Sequence, residues 1–357
     1  MTVNRGLFVP LNAGVGTTPT QARLGLAALV AENSPGVPRT GVLNPSDPDL
    51  VTGSTGSMTY DIKPHSVAVN RATDEGVYIF TTTGLTSVAT TAAPASGSRI
   101  DVIWVKQNDT TKGDADNLAV PGVTQGAASG GTPAVPSIPA GAIELAQATV
   151  GANITTASAA SIVSTFKHTA ARGADLIVRS LADRNTITDP AKGQRVVRLD
   201  RNNHVQEWDG DSWNWVSVPE RYYMDASGFS ATSNQVSKAI GLLTAAPTRT
   251  YATKVRVNGR LSVFSAAISG GVLALRVCVS ANLGVVTNAQ GKTRLSFIPP
   301  GAHWQSAVAE TNWVAVAANA TPQPRIWIEV VAGEVNHNAS NVSSEGHLWA
   351  EVLPADD

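Results

Sequence analysis

The sequence predicts a mainly β protein in three parts: an N-terminal β-rich domain with extended arms, a small antiparallel β-meander, and a C-terminal β-sandwich of jelly-roll type. Two observations predict it. Short runs of alternating apolar and polar residues recur between clusters of Gly, Pro, Asn and Asp, the pattern of strands joined by turns. The texture also changes along the chain. Residues 1 to about 165 are rich in Ala, Thr, Gly, Ser and Pro and hold one tryptophan, Trp104. The others (Trp208, Trp213, Trp215, Trp304, Trp313, Trp327, Trp349) all lie in the last 150 or so residues. The expected domains are 1–166, 167–220 and 221–357.

Taken in order, Thr18-Pro19-Thr20 before Gln21–Val30 predicts a capped short helix with Leu26, Leu29 and Val30 on one face. Residues 33–57, crowded with Pro, Gly, Asp and Ser, predict a loop or extended arm. Strands are expected at Ser66–Asn70, Gly76–Thr81 and Arg99–Lys106. The last is apolar on both faces, which predicts cover on both sides. Residues 84–98 are mostly Thr and Ala, and residues 118–143 carry four prolines, five glycines and no charge. Such a stretch predicts an extended strap lying against a partner, then a strand at Ala142–Val150. Residues 153–166 predict a short helix or connector.

From Asp175 the alternation tightens. Strands are expected at Asp175–Ser180, Gln194–Leu199, His204–Trp208 and Trp213–Val218, with turns at Asp200–Asn203 and Asp209–Ser212. A sheet this small needs neighbours for its core, and Trp208, Trp213 and Trp215 are expected to pack across it. In the last part, Asn258-Gly259 between alternating runs predicts a hairpin. Further strands are expected at Val272–Ser280, Lys292–Phe297, Trp313–Ala317, Arg325–Val331 and Gly346–Leu353, spaced as in a sandwich.

Composition narrows the function classes. A chain of 357 residues exceeds a typical single domain. A net charge of -1 and a pI near 6.6 argue against a broad basic face, so no nucleic-acid partner is expected. Charged residues make up 15% of the chain, below the usual quarter, which suits a protein packed against neighbours. The one cysteine, Cys278, excludes an internal disulfide and a multi-cysteine zinc site; its alternation predicts a half-buried strand position. No signal peptide is visible at the start, and no apolar run reaches the length of a membrane span, so no membrane insertion is expected.

No motif assigns a catalytic residue. Gly291-Lys292-Thr293 ends like a phosphate loop, but Val286 stands where the first glycine is needed, and a hairpin turn is expected instead. The six histidines have no metal-binding spacing, although His303, His337 and His347 would meet if one end of the sandwich gathered them. Asp114-Ala-Asp116 and Asp209-Gly-Asp211 lack the ligand set of a calcium loop. Pro299-Pro-Gly-Ala-His303-Trp304 predicts a Pro/Gly loop that exposes His303 and Trp304 for surface recognition.

Ser98-Arg-Ile-Asp-Val-Ile-Trp-Val-Lys106, followed by Pro136-Ser-Ile-Pro-Ala-Gly-Ala-Ile-Glu-Leu-Ala146, is similar to the N-terminal domain of many tailed-bacteriophage minor tail and baseplate proteins. There an R-x-D strand precedes a loop and a P-x-x-P-x-G-A-x-x-L-A segment. Lys192-Gly-Gln-Arg-Val196 and Val205-Gln-Glu-Trp-Asp-Gly-Asp-Ser-Trp213 resemble a short hairpin module of actinobacteriophage tail proteins, and Gln21–Leu26 resembles the same family. The likeness covers roughly residues 60–215 in patches; the C-terminal part contributes only its position. The resemblance implies a non-enzymatic virion protein of the tail tip or baseplate, a homotrimer. Its N-terminal domain would attach to other tail proteins, and its C-terminal domain would meet a host-surface glycan or protein. Three weak sites on one rigid trimer bind by avidity, without a deep pocket. Trimers of this kind sometimes hold a metal on their axis, the only support for a histidine site; no cofactor is expected. A tail-borne carbohydrate-binding or glycan-degrading protein, and a capsid decoration or head-fibre protein, remain the alternatives.

Overall fold

Thr18 sets the first element. Extended at φ −84° and ψ 161°, it caps helix α1 (Pro19–Ala27): its hydroxyl accepts from the Gln21 amide, and the Gln21 side chain accepts from Thr18 N–H. The helix ends at Ala27, so the expected Leu26, Leu29 and Val30 face does not form. Leu29 is 62% exposed, while Ala27, Val30 and partly Leu26 pack on Ala68 and Val77. Gly76 lies directly beneath the helix. Its φ is +73°, and a Cβ there would stand 2.2 to 2.4 Å from the backbone of Arg23 and Leu24.

The computed structural model describes residues 10, 15–43, 49–216, 219–225, 229–232, 238–242, 248–265, 271–280, 294–298, 301–310, 313–319, 323–337 and 346–355. It divides into two compact units, Met1–Asn214 and Trp215–Asp357.

In the first unit, the expected arm is strung with short strands. They are β1 (Glu32–Ser34), β2 (Val37–Pro38), β3 (Gly41–Val42) and β4 (Val51–Gly53). Next come β5 (Thr59–Ile62), β6 (His65–Val69), β7 (Tyr78–Thr82) and β8 (Thr86–Ala89). The strands β9 (Ser98–Gln107), β10 (Ala119–Gln125), β11 (Ala142–Gly151) and β12 (Ser161–Ser164) follow. β1 pairs with β2. Three antiparallel sheets, ordered β3-β6-β7, β4-β5-β8 and β10-β9-β11-β12, share one core containing Tyr60, Ile62, Val67, Ile103, Val105, Leu145 and Phe166. The central strand β9 is covered on both faces, as its sequence predicts: Val102 and Ile103 are both at 0% exposure. The uncharged stretch after Leu118 begins as a strand, and its extended course starts only at Gly126. Pro121, opposite Val105, is compatible because β10 is an edge strand with no ladder partner on its far side. Gly122 faces Trp104, whose indole occupies the space a Cβ would take and donates to Thr124 Oγ1 at 2.9 Å.

The small sheet belongs to this same unit. It runs β13 (Leu176–Val178), β14 (Arg195–Arg198), β15 (His204–Trp208) and β16 (Trp213–Trp215). It is not the fully antiparallel meander expected, because β13 and β14 pair in parallel. Residues 179–194 are long enough to cross over and include α2 (Leu181–Arg184), capped by the Ser180 hydroxyl. The core is Leu176, Val178, Ile187 and Val196, completed by Ala31 from the arm and by Trp213.

The second unit contains β17 (Glu220–Asp225), β18 (Phe229–Thr232), β19 (Lys238–Leu242), β20 (Thr253–Ser265) and β21 (Gly271–Ser280). It continues with β22 (Arg294–Ile298), β23 (Gly301–Glu310), β24 (Val314–Val316), β25 (Gln323–His337) and β26 (Gly346–Pro354). These strands form one ten-stranded antiparallel sheet with two groups of strands in it. One surrounds β20, flanked by β26, β23 and β24; the other surrounds β25, flanked by β21, β18 and β19. They meet where Phe264 pairs with Asn336. The hairpin expected at Asn258-Gly259 is absent: β20 runs straight through both residues. Asn258 pairs with Trp349 on one side and Glu310 on the other, and a ladder on both edges overrides the local turn preference. Cys278 lies in β21 opposite Arg325, and its side chain falls outside the described residues, as do all of Gly291, Lys292 and Thr293.

Candidate functional site

The Arg-x-Asp pair of β9 is the natural starting point. Residues two apart on a strand share a face, so Arg99 and Asp101 point the same way. Asp101 is fully buried and accepts from Arg99 Nε at 2.7 Å, Thr90 Oγ1 at 2.6 Å and Tyr60 OH at 3.0 Å. Burial, then the Asp101 charge, pushes the Tyr60 phenol far above its ordinary value. Arg99 spends its remaining donors on the Ala92 and Thr91 carbonyls at 2.6 and 2.8 Å. The motif is therefore a clamp: it fixes the 90–92 segment against the start of β9.

The neighbouring residues clamp the second uncharged stretch. Ser98 exchanges both backbone bonds with Ser129 at 2.9 Å, and Gly126 N–H donates to Ile100 O at 2.7 Å. Gln125 ties the two stretches together, donating to Thr90 Oγ1 at 2.8 Å and accepting from Thr91 Oγ1 at 2.9 Å. Residues 84–98 and 126–141 thus form one surface around the start of β9, with a backbone course fixed by hydrogen bonds. It carries no charged side chain, and Thr91, Ala92, Ala95, Thr132, Ala134, Val135, Ser137 and Pro139 are all exposed on it.

A second feature is a cleft of about 530 Å³ between the arm and the small sheet. Its wall carries Glu32, Asp175 and Asp189 together with Arg172, Lys192 and Arg195. Arg172 pairs with Glu32, and Arg195 stands 3.8 Å from Asp175. With both signs balanced, the cleft has no preference for one charge of ligand. Beside it, Trp208 and Trp213 pack at 5.6 Å between ring centroids, tilted by 57°. Trp213 closes the core of the small sheet, as its sequence predicts, whereas Trp215 donates to Ala355 O at 3.2 Å in the second unit.

The structure places His303 and Trp304 in β23, not in the loop expected from Pro299-Pro-Gly. They fall where the pairing of β23 with β20 is irregular, between Ser265↔Gly301 and Val263↔Gln305. Their side chains, and those of His337 and His347, lie outside the described residues. Among the described residues no group of three His, Cys, Asp or Glu side chains is placed to hold a metal. No described helix is long and apolar enough to cross a membrane.

Sequence reasoning missed one polar node. Arg39, fully buried, donates to Asp183 Oδ1 at 2.6 Å, Thr186 Oγ1 at 2.8 Å and His168 O at 2.8 Å, joining the arm to the crossover of the small sheet. Nothing local marks it, since Arg39 sits between Pro38 and Thr40 in what looks like loop composition.

No protein family matches the chain, and no curated protein sequence matches it. Among solved structures, it is similar to the VP2 subviral particle of infectious bursal disease virus, with 10% identity, 88% of this chain and 75% of that chain covered, and a TM-score of 0.26. The Gx strain of that virus gives 11% identity, coverage of 89% and 72%, and a TM-score of 0.23. At such scores nothing further is drawn from the likeness.

Proposed function

We propose that the protein is a non-enzymatic structural component of a phage virion, at the tail tip or baseplate. In this reading it assembles as a homotrimer through its first unit and turns its second unit toward the host surface. The observation that carries the proposal is the uncharged surface of residues 84–98 and 126–141, held in a fixed course yet exposed. An exposed segment without charge has no ion to desolvate on docking, and prior fixing of its backbone lowers the entropy cost. A surface repeated on each copy around a cyclic axis buries itself without leaving an open end. The likeness of Arg99-x-Asp101 and Pro136–Ala146 to tail proteins supports the virion setting, since these residues build and border that surface.

Light scattering on the full chain tests the assembly. A mass near three times 36.9 kDa is expected, and a monomer at micromolar concentration would overturn the trimer. Binding of the trimer to host cells without turnover of wall glycan is expected as well. Turnover would replace this reading with a tail-borne glycan-degrading enzyme.

A further inference from the structure

The cleft of about 530 Å³ between the arm and the small sheet lies wholly within the first unit, and its volume falls in the ~300–1,000 Å³ range of small-molecule sites. Its charged groups are of two kinds. Arg172 and Glu32 are bound to each other. Asp175 and Arg195 stand 3.8 Å apart, too far for a hydrogen bond, and Glu207 is 3.7 Å from Arg195. Arg195 is therefore neutralised without spending a guanidinium N–H on either carboxylate. The side chains of Asp189 and Lys192 have no ion-pair or hydrogen-bond partner among the described residues. All these unspent groups are open to solvent. Asp175 and Arg195 have side chains 46% and 44% exposed, and Asp189 and Lys192 are exposed as well.

One cleft thus offers hydrogen-bonding capacity of both kinds: the Asp175 and Asp189 carboxylates accept, and Lys192 and Arg195 donate. A ligand with net charge would meet a like charge beside each opposite one, and its own desolvation would go unrepaid. A hydroxyl both donates and accepts, so a neutral polyol satisfies carboxylate and cation together. Pro35 and Pro190 add apolar rings to the wall. Gly173 and Gly193, at φ of +84° and +82°, turn the chain at the rim, with open space beside each for a ligand to approach. Apolar patches between accessible polar groups fit the C–H and O–H surfaces of a pyranose ring.

We infer that this cleft binds a neutral oligosaccharide, whose hydroxyls donate to Asp175 and Asp189 and accept from Lys192 and Arg195. The site is separate from the second unit and needs no trimer, so failure of the assembly proposed above leaves it untouched. The probes, titrated into the full chain by calorimetry, are the neutral trisaccharides maltotriose, cellotriose and chitotriose, with triglycine as a zwitterion and sialyllactose as an anion. Saturable binding of at least one neutral sugar is expected, with an affinity that does not change with salt, and none of triglycine or sialyllactose. Amide exchange at 172–176 and 189–195 is expected to slow when the sugar binds. Arg195→Met and Asp189→Ala change exposed side chains, and each is expected to weaken binding about tenfold or more, the worth of hydrogen bonds to a charged group. Ala191→Trp, at an exposed position of the wall, fills the cleft and is expected to abolish binding with the urea midpoint unchanged. No saturable binding by any neutral sugar, tighter binding of triglycine or sialyllactose, or sugar binding that survives Ala191→Trp would each overturn the assignment.

Discussion

Replacing Asp101 by Ala removes the carboxylate that holds Arg99, Tyr60 and Thr90 together. The side chains of Asp101 and Arg99 are 0% and 7% exposed, so water does not take the missing partner's place. Breaking a buried pair from one side typically destabilises by about 3–5 kcal/mol, because the remaining charge stays buried. Arg99 keeps its bonds to the Ala92 and Thr91 carbonyls, which favours the lower half of that range, while the Tyr60 and Thr90 hydroxyls each lose a bond of about 1 kcal/mol. With a urea slope of about 3 kcal/mol/M, the first unit's midpoint falls by roughly 1–2 M. Hydrogen exchange gives the readout by element. Amides of β9 and β11 lose protection together, and those of β20 and β26 do not. The comparison that isolates the charge is Arg99→Met with Asp101→Leu, expected to be less destabilised than Asp101→Ala alone. A loss below about 1 kcal/mol for the single variant, or a double variant as weak as the two singles summed, would refute the clamp.

Burial first, then the Arg179 guanidinium, holds His168 down from 6.5 to about 4, with Asp183 opposing and Arg39 adding to the depression. The unfolded chain therefore takes up the proton first. Stability is full above pH 6.5 and declines toward pH 4 by at most about 3 kcal/mol, a slope that His168→Gln should flatten in urea midpoints. In the second unit, Glu351 is buried between Arg221 at 3.0 Å and Arg256, whose side chains are 51% and 38% exposed. Both cations rehydrate easily, so Glu351→Ala is expected to be destabilised by only about 1–2 kcal/mol, read from exchange of β20 and β26. If the proposed trimer closes through the uncharged surface, Val135→Asp with Ser137→Glu should leave only monomers by light scattering while the urea midpoint of the first unit stays unchanged.

The parts of this fold that were legible in the sequence are those fixed by local chemistry. Thr18 with Gln21 announces a helix start, and the doubly apolar run of β9 announces a central strand. The failures are places where distant chain decides. Asn258-Gly259 has the composition of a tight turn, yet strands on both sides of β20 take up its backbone bonds. The turn at Asp200–Asn203 joins β14 and β15 antiparallel as expected, but the parallel pairing of β13 with β14 depends on where the 179–194 crossover returns, which no window of residues encodes. Of the candidate site, the lack of charge in residues 118–143 was visible, while its fixing by Ser98, Gly126 and Gln125 was not. Arg39 was invisible for the same reason: its importance lies in burial and in partners far along the chain.

The clamp and the uncharged surface explain each other. An exposed stretch of Ala, Thr, Gly and Pro has little of its own to order it, and left free it would lose its conformational entropy only on docking. Here that loss is met within the single chain: Arg99 grips Thr91 and Ala92, Ser98 grips Ser129, and Gln125 joins the two sides, all within a few residues of the start of β9. The charges needed to do this are turned inward, so the face presented outward stays neutral. A protein that had to remain soluble alone would gain from charge on such a face. One that meets a copy of itself gains from its absence, since no ion has to be desolvated when the surfaces close. The Arg-x-Asp pair thus has a physical reason to accompany the Pro- and Gly-rich segment that follows it: one is the fastening and the other is the surface it holds ready.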